Sequence, residues 1–146
     1  MSIKLGLDAK LYRNTGTYAA PTWVEIANVK DVTLNLEAGE ADVTTRANAG
    51  WKATLATLKD ASVEFDMVWD TGDAGFTALK DAFFNNGAIE VAAMDGDITA
   101  TGSQGLRATM SVTKFSRKET LADAIMVSPT LKPTYAAQPP EWMVVA

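Results

Sequence analysis

The acidic residues are the first groups in this sequence that could do chemistry. Asp70, Asp73, Asp95 and Asp97 fall as two close pairs in glycine-containing segments, where carboxylate oxygens could hold a hard cation such as calcium. A calcium loop needs alternate ligands within one short run closed by a bidentate Glu, and that spacing is absent. Helix capping and turn chemistry account for all four, so no metal site is expected. Glu64 and Asp66 share the polar side of a strand and could form a carboxylate pair for acid–base work. Nothing around them marks a pocket that would shift their pKa values, and a solvated sheet face is the plainer reading. Gly102-Ser103-Gln104-Gly105 lacks the Lys and the following helix of a phosphate loop.

Composition narrows the chemistry further. The 146 residues contain no Cys and no His, which removes disulfides, thiolate nucleophiles and every Ser-His or Cys-His pair. Catalysis would rest on carboxylates, Lys or Tyr alone, and neither catalytic residues nor a cofactor are expected. A net charge of −5 argues against a phosphate-neutralising surface for DNA or RNA, while leaving nucleic acid free to pass nearby without adhering. No apolar run approaches the roughly 20 residues of a membrane helix, and Met1–Leu5 lacks the apolar stretch of a secretory signal. A soluble chain made in the cytoplasm is expected, with one domain and an ample core.

Strands must position whatever function remains. Ile3, Leu5, Leu7, Ala9 and Leu11 alternate with polar residues and predict an N-terminal strand closed by Asn14-Thr15-Gly16-Thr17. Trp23–Ile26 predicts a short strand, and Val32, Leu34 and Leu36 continue the sheet. A second strong alternation runs through Val63, Phe65, Met67 and Trp69. Asp70 or Thr71 suits a helix N-cap, with Asp73 in the first turn; Phe76, Leu79 and Phe83 then recur at helical spacing until Asn85-Asn86-Gly87. The helix is expected over about 72–86. Further strands carry Ile89, Val91 and Ala93; Leu106, Ala108, Met110 and Val112; and Ile125, Val127 and Leu131. The expected fold class is a β-rich α+β: an antiparallel β-sandwich or partly open barrel with one packed α-helix and a long extended loop.

That loop is the segment 37–57, too long for a tight hairpin turn and too regular for a linker. It is polar, and Val43 and Trp51 are its only large apolar residues before Leu55. Trp51 has no core of its own there. Either the arm folds back and Trp51 caps the sandwich, or a neighbouring chain buries it. Residues 1–132 are read as the domain and 133–146 as a proline-rich tail broken by Pro133, Pro139 and Pro140. Its apolar end, Trp142–Val145, docks on the chain's own surface, fills a neighbour's groove, or stays disordered in isolation; an assembly contact outside the domain's core is the favoured expectation.

The order of these pieces resembles the tail tube (major tail) proteins of long-tailed bacteriophages. The matching segments are the N-terminal strand and its Gly turn, Trp23–Val32, the arm with Glu40–Arg46, Leu58–Asp66, the helix after Asp70, Val112–Ser116 and Leu131–Thr134. The resemblance covers nearly the whole chain and rests on the order of short motifs. It implies a structural role: subunits stacked as hexameric rings into a tube whose lumen conducts the genome, a fold shared with contractile-tail and type VI secretion tubes. It implies that six subunits' sheets join into one inner barrel and that the long loop reaches the adjacent ring. The implied partners are other copies of the chain, the tail tip and tail terminator proteins, and a tape-measure protein and DNA that pass without specific binding. No catalytic residues transfer. Thr44, Thr45, Arg46, Trp51 and Lys52 become ring-stacking candidates, with Trp142 and Val144 as further assembly candidates. The implied location is the virion tail, assembled in the host cytoplasm. The competing reading is a sandwich-type binding module for carbohydrate or protein on a larger particle, with Trp51 as a sugar-stacking platform.

Overall fold

The computed structural model describes residues 3–146; Met1 and Ser2, at the start of the expected domain, lie outside it. Among these residues the chain forms eight strands and one α-helix: β1 (Lys10–Asn14), β2 (Trp23–Glu25), β3 (Val29–Asp42), β4 (Thr54–Val68), α1 (Ala74–Phe84), β5 (Ala88–Met94), β6 (Gln104–Lys118), β7 (Met126–Pro133) and β8 (Glu141–Val144). All pairings are antiparallel, in the order β2-β1-β5-β6-β7-β4-β3, with β8 also on β6. The sheet is open, and the fold is the β-rich α+β class the alternation predicts.

One face of the sheet carries the core. Val63, Phe65 and Met67 of β4, Ala108 and Met110 of β6, and Val127 and Leu131 of β7 are buried against Phe76 and Leu79 of α1. Along each strand these residues are separated by two positions, or by four in β7, because strand side chains alternate between faces. In β6 the phase changes at a bulge between Val112 and Lys114, which returns Phe115 to the core and turns Lys114 to the polar side. The helix, expected over about 72–86, begins two residues later and spans Ala74–Phe84. Asp73, not Asp70 or Thr71, is its N-cap, accepting the Phe76 N–H at 2.9 Å. It stops where Asn86 takes a left-handed φ of 53°. Trp69 meets Phe76 edge-on, with centroids 4.7 Å apart, and anchors the helix to the end of β4.

Two stretches differ from the expected pattern. The N-terminal alternation does not make a strand over its full length: Gly6–Asp8 is a 3-10 turn, pairing begins at Lys10, and only Leu11 of that apolar set is buried. Among the described residues no partner strand extends far enough to hold Ile3, Leu5 and Leu7, which stand exposed. The tail, expected to be irregular after Pro133, ends as β8, with Leu106 opposite Trp142 and Gln104 opposite Val144. Met143 and Val145 pack on a second cluster, Tyr12, Ala92 and Met94, on the sheet face away from α1. This end of the tail therefore adds to the domain's own packing.

Beside that cluster lies a buried ion pair that alternation had placed on a polar face. Arg107 is 8% exposed. Its Nε donates to Glu90 Oε1 at 2.7 Å, its Nη2 donates to the Tyr18 carbonyl at 2.7 Å, and its guanidinium lies 3.8 Å from the Tyr18 ring centroid. Asn14 Nδ2 donates to the other Glu90 oxygen. One pair thus ties β1, β5, β6 and the loop between β1 and β2. Arg107→Ala strands a buried carboxylate and is expected to cost about 3–5 kcal/mol in guanidinium denaturation, with a much smaller loss for the double variant Glu90→Gln/Arg107→Met.

Candidate assembly surface

β3 and β4 run past the rest of the sheet. β7 pairs with β4 only between Val63 and Val68, whereas β3 pairs with β4 from Val29–Met67 out to Asp42–Thr54. The distal half is therefore a free two-stranded ribbon, about 25 Å long at 3.3–3.4 Å per residue. Nearly half of the segment 37–57 is thus strand, at 37–42 and 54–57, and the non-strand part shrinks to residues 43–53. Its polar composition concealed the pairing because both faces of a projecting ribbon meet solvent. Gly39 sits at the irregularity between Ala38 and Glu40, where a Cβ would collide with the Thr57 hydroxyl.

Local hydrogen bonds shape the tip. Thr44 Oγ1 accepts the Ala53 N–H at 2.8 Å and the Val43 N–H donates to the Ala53 carbonyl at 2.9 Å, closing the base of the loop. Thr45 precedes a 3-10 turn, Arg46–Asn48, and Asn48 Nδ2 donates to the Trp51 carbonyl at 2.9 Å. The reversal passes through Ala49 and Gly50, with φ of 51° and 84°; Gly50 adopts this geometry at no steric cost. Trp51 is 76% exposed, so it does not cap its own sheet. Thr44, Thr45, Arg46, Trp51 and Lys52 come together on this tip. Trp142 and Val144 do not join them: they stand half exposed on β8, Trp142 Nε1 donating to Gln104 Oε1 at 3.1 Å.

The ribbon carries two dissimilar faces. Leu36 extends the core face outward as an exposed apolar side chain, whereas beyond the irregularity Leu55, opposite Ala41, falls on the other face. The opposite face has Glu37 directly across from Asp60, followed by Glu64 and by Asp66, which accepts the Ser128 hydroxyl at 2.6 Å. Like charges placed directly across an antiparallel pair oppose folding, yet here they stand in register. Lys132 and Lys114 lie toward β7 and β6 on the same face.

The acidic residues weighed as cation ligands are bound locally. Asp70 Oδ1 accepts the Gly72 N–H, Asp95 Oδ1 accepts the Gln104 N–H and Asp97 Oδ1 accepts the Thr99 N–H, each at 2.9 Å, while Asp73 caps α1. Among the described residues no three carboxylates stand close enough to share a metal ion. Gly105 of the glycine-rich segment is a strand residue, where a Cβ would collide with the Ala93 carbonyl. No helix among the described residues is long and apolar enough to cross a membrane.

At the tip base, Thr44's hydroxyl and N–H hold the Asp42 carboxyl below its ordinary 3.8. Thr44→Val keeps the shape and removes the hydroxyl, so the Asp42 carboxyl is expected to titrate closer to 3.8 in an NMR pH series. Its melting temperature should stay near wild type.

No curated protein matches the chain in sequence. Among solved structures, the chain is similar to the tail of the empty gene transfer agent (GTA) particle refined with C6 symmetry, at a TM-score of 0.73 and 16% identity over 99% of this chain and 100% of that one. The SPP1 tail tube superposes at 0.70 and 16% identity, over 89% and 75% of the two chains. The six-fold symmetrised baseplate of the anti-feeding prophage superposes at 0.62 and 12% identity, over 99% of each. The family described as phage tail tube protein matches residues 8–133, most of the chain and all of the sheet but β8, and the chain therefore belongs to that family of structural tail tube subunits.

Proposed function

We propose that this chain works without catalysis, as a ring-forming subunit of a phage tail: six copies close a ring, rings stack, and the resulting tube conducts the genome. The observation that carries this reading is the β3–β4 ribbon with its exposed tip. A two-stranded ribbon standing clear of its sheet, ending in a 76% exposed Trp, gains its buried surface from another molecule. The six-fold symmetry of the related GTA tail and prophage baseplate supports another copy as that molecule. In this reading Thr44, Thr45, Arg46, Trp51 and Lys52 contact the adjacent ring, and Trp142 and Val144 add apolar contacts from β8.

The two faces of the sheet suit the two sides of a tube wall. The core face is covered by α1, and the opposite face is covered at β1 and β5 by the cluster around Tyr12, Ala92 and Met94, so the uncovered polar part at β3, β4 and β7 is the one available to line a lumen. Glu37, Asp60, Glu64 and Asp66 give it a negative column that repels phosphates and lets DNA slide. That use also accounts for keeping Glu37 opposite Asp60 at a cost in stability. A tape-measure protein would occupy the same lumen, tip and terminator proteins would cap its ends, and assembly in the host cytoplasm would place the chain in the virion.

Removing residues 48–52 tests the ribbon's role. The deleted chain is expected to keep the wild-type melting temperature within a few degrees, because the loop base is closed by Thr44 and Ala53 and the core lies elsewhere. It should sediment without tubes under conditions where the wild type assembles. Normal tubes from the deleted chain would overturn the stacking role.

A further inference from the structure

The connection into β8 is longer than its path. The Thr134 N–H donates to the Thr109 carbonyl at 3.2 Å, so β7's ladder on β6 runs to that point. β8 then takes up the same edge of β6 with Glu141 opposite Arg107. Both lie on the side away from β5, which pairs with Gly105–Ser111 on the other edge. The step from Thr109 to Arg107 is about 7 Å along the strand. Seven Cα–Cα steps from Thr134 to Glu141 can reach about 23–25 Å. The excess bulges away from the sheet: Tyr135 is fully exposed, and Pro139 and Pro140 resist a tight return.

The anchorage of β8 is also separable. Arg107 keeps Glu90 and the Tyr18 carbonyl as partners whether or not β8 is present; Glu141 adds one contact at 3.9 Å from a half-exposed carboxylate. Withdrawal of β8 therefore leaves no buried charge unpaired. It does uncover Tyr12, Ala92 and Met94, which Met143 and Val145 cover, and it frees the edge of β6 at Gln104–Arg107. Some β8 must fill that slot, and the slot does not specify whose.

We propose that β8 is exchanged in the assembled particle, each copy's Glu141–Val144 pairing with β6 of the adjacent copy. The partner is a second copy of this chain, and the contacts are those already seen within one chain, so no new complementarity is needed. This rests on the ring-forming reading above and adds a covalently traceable link between copies.

The absence of cysteine makes the test clean. Gln104 and Val144 lie opposite each other on the ladder and neither is buried, so Gln104→Cys and Val144→Cys can be introduced without cutting the core. Chains carrying one change each are mixed, assembled, oxidised and run on a non-reducing gel. Exchange predicts covalent dimers from the mixture that neither variant forms alone, and a ladder of multiples from the double variant. Assembled tubes whose double variant closes within single chains, with a monomeric mixture, overturn exchange and leave the ring reading standing. Failure of the wild-type chain to assemble overturns both.

Discussion

The free edge of β3 is the constraint on which the rest of the molecule depends. Val29–Asp42 is paired with β4 on one side and, among the described residues, with no strand on the other, and an unpaired edge of this length is an invitation to further pairing. A closed barrel would abolish such an edge, but this sheet stays open, with only the short β2 at its other end. Charges at Lys30, Asp31, Glu37 and Glu40 discourage indiscriminate association along it, while its length favours one specific partner. In the ring proposed here symmetry would answer the problem, with the edge left open on one copy covered by the next.

Two different attachments then divide the sheet into firm and detachable parts. The core between α1 and strands β4, β6 and β7 is apolar and closely packed. The Glu90–Arg107 pair fixes β1, β5 and β6 together on the opposite face. Outside these lie the ribbon, held by its own cross-strand ladder, and β8, held by a short ladder, two apolar side chains and the contacts of Trp142 with Gln104 and Glu141 with Arg107. Such a division suits a subunit that must be folded before it assembles. The parts that define the fold are buried, and the parts free to change partners lie beyond them.

Much of this was legible in the sequence wherever one face of an element is dry. Val63-Phe65-Met67 and Leu106 through Met110 alternate because α1 covers that side, and Phe76, Leu79 and Phe83 mark the helix for the same reason. Legibility failed where burial depends on distant pairing. Arg107 reads as a solvent residue until the register sets it against Glu90, and β8 reads as an apolar end until β6 offers it an edge. The ribbon's polar faces hid fully formed strands, whereas the apolar alternation before Leu11 promised a strand that has no neighbour to pair with. Among the assembly candidates, the grouping of Thr44 to Lys52 on one tip followed from chain proximity. Their separation from Trp142 and Val144 could be seen only in three dimensions.

The proposed function depends on the ribbon reaching from one ring to the next. A six-fold helical reconstruction of tubes grown from the purified chain tests this most directly. It is predicted to place the Trp51 side chain, exposed in the single subunit, in contact with a subunit of the adjacent ring, with Glu37, Asp60 and Glu64 facing the lumen. A tube in which Trp51 points to solvent and the rings touch through other surfaces would contradict it.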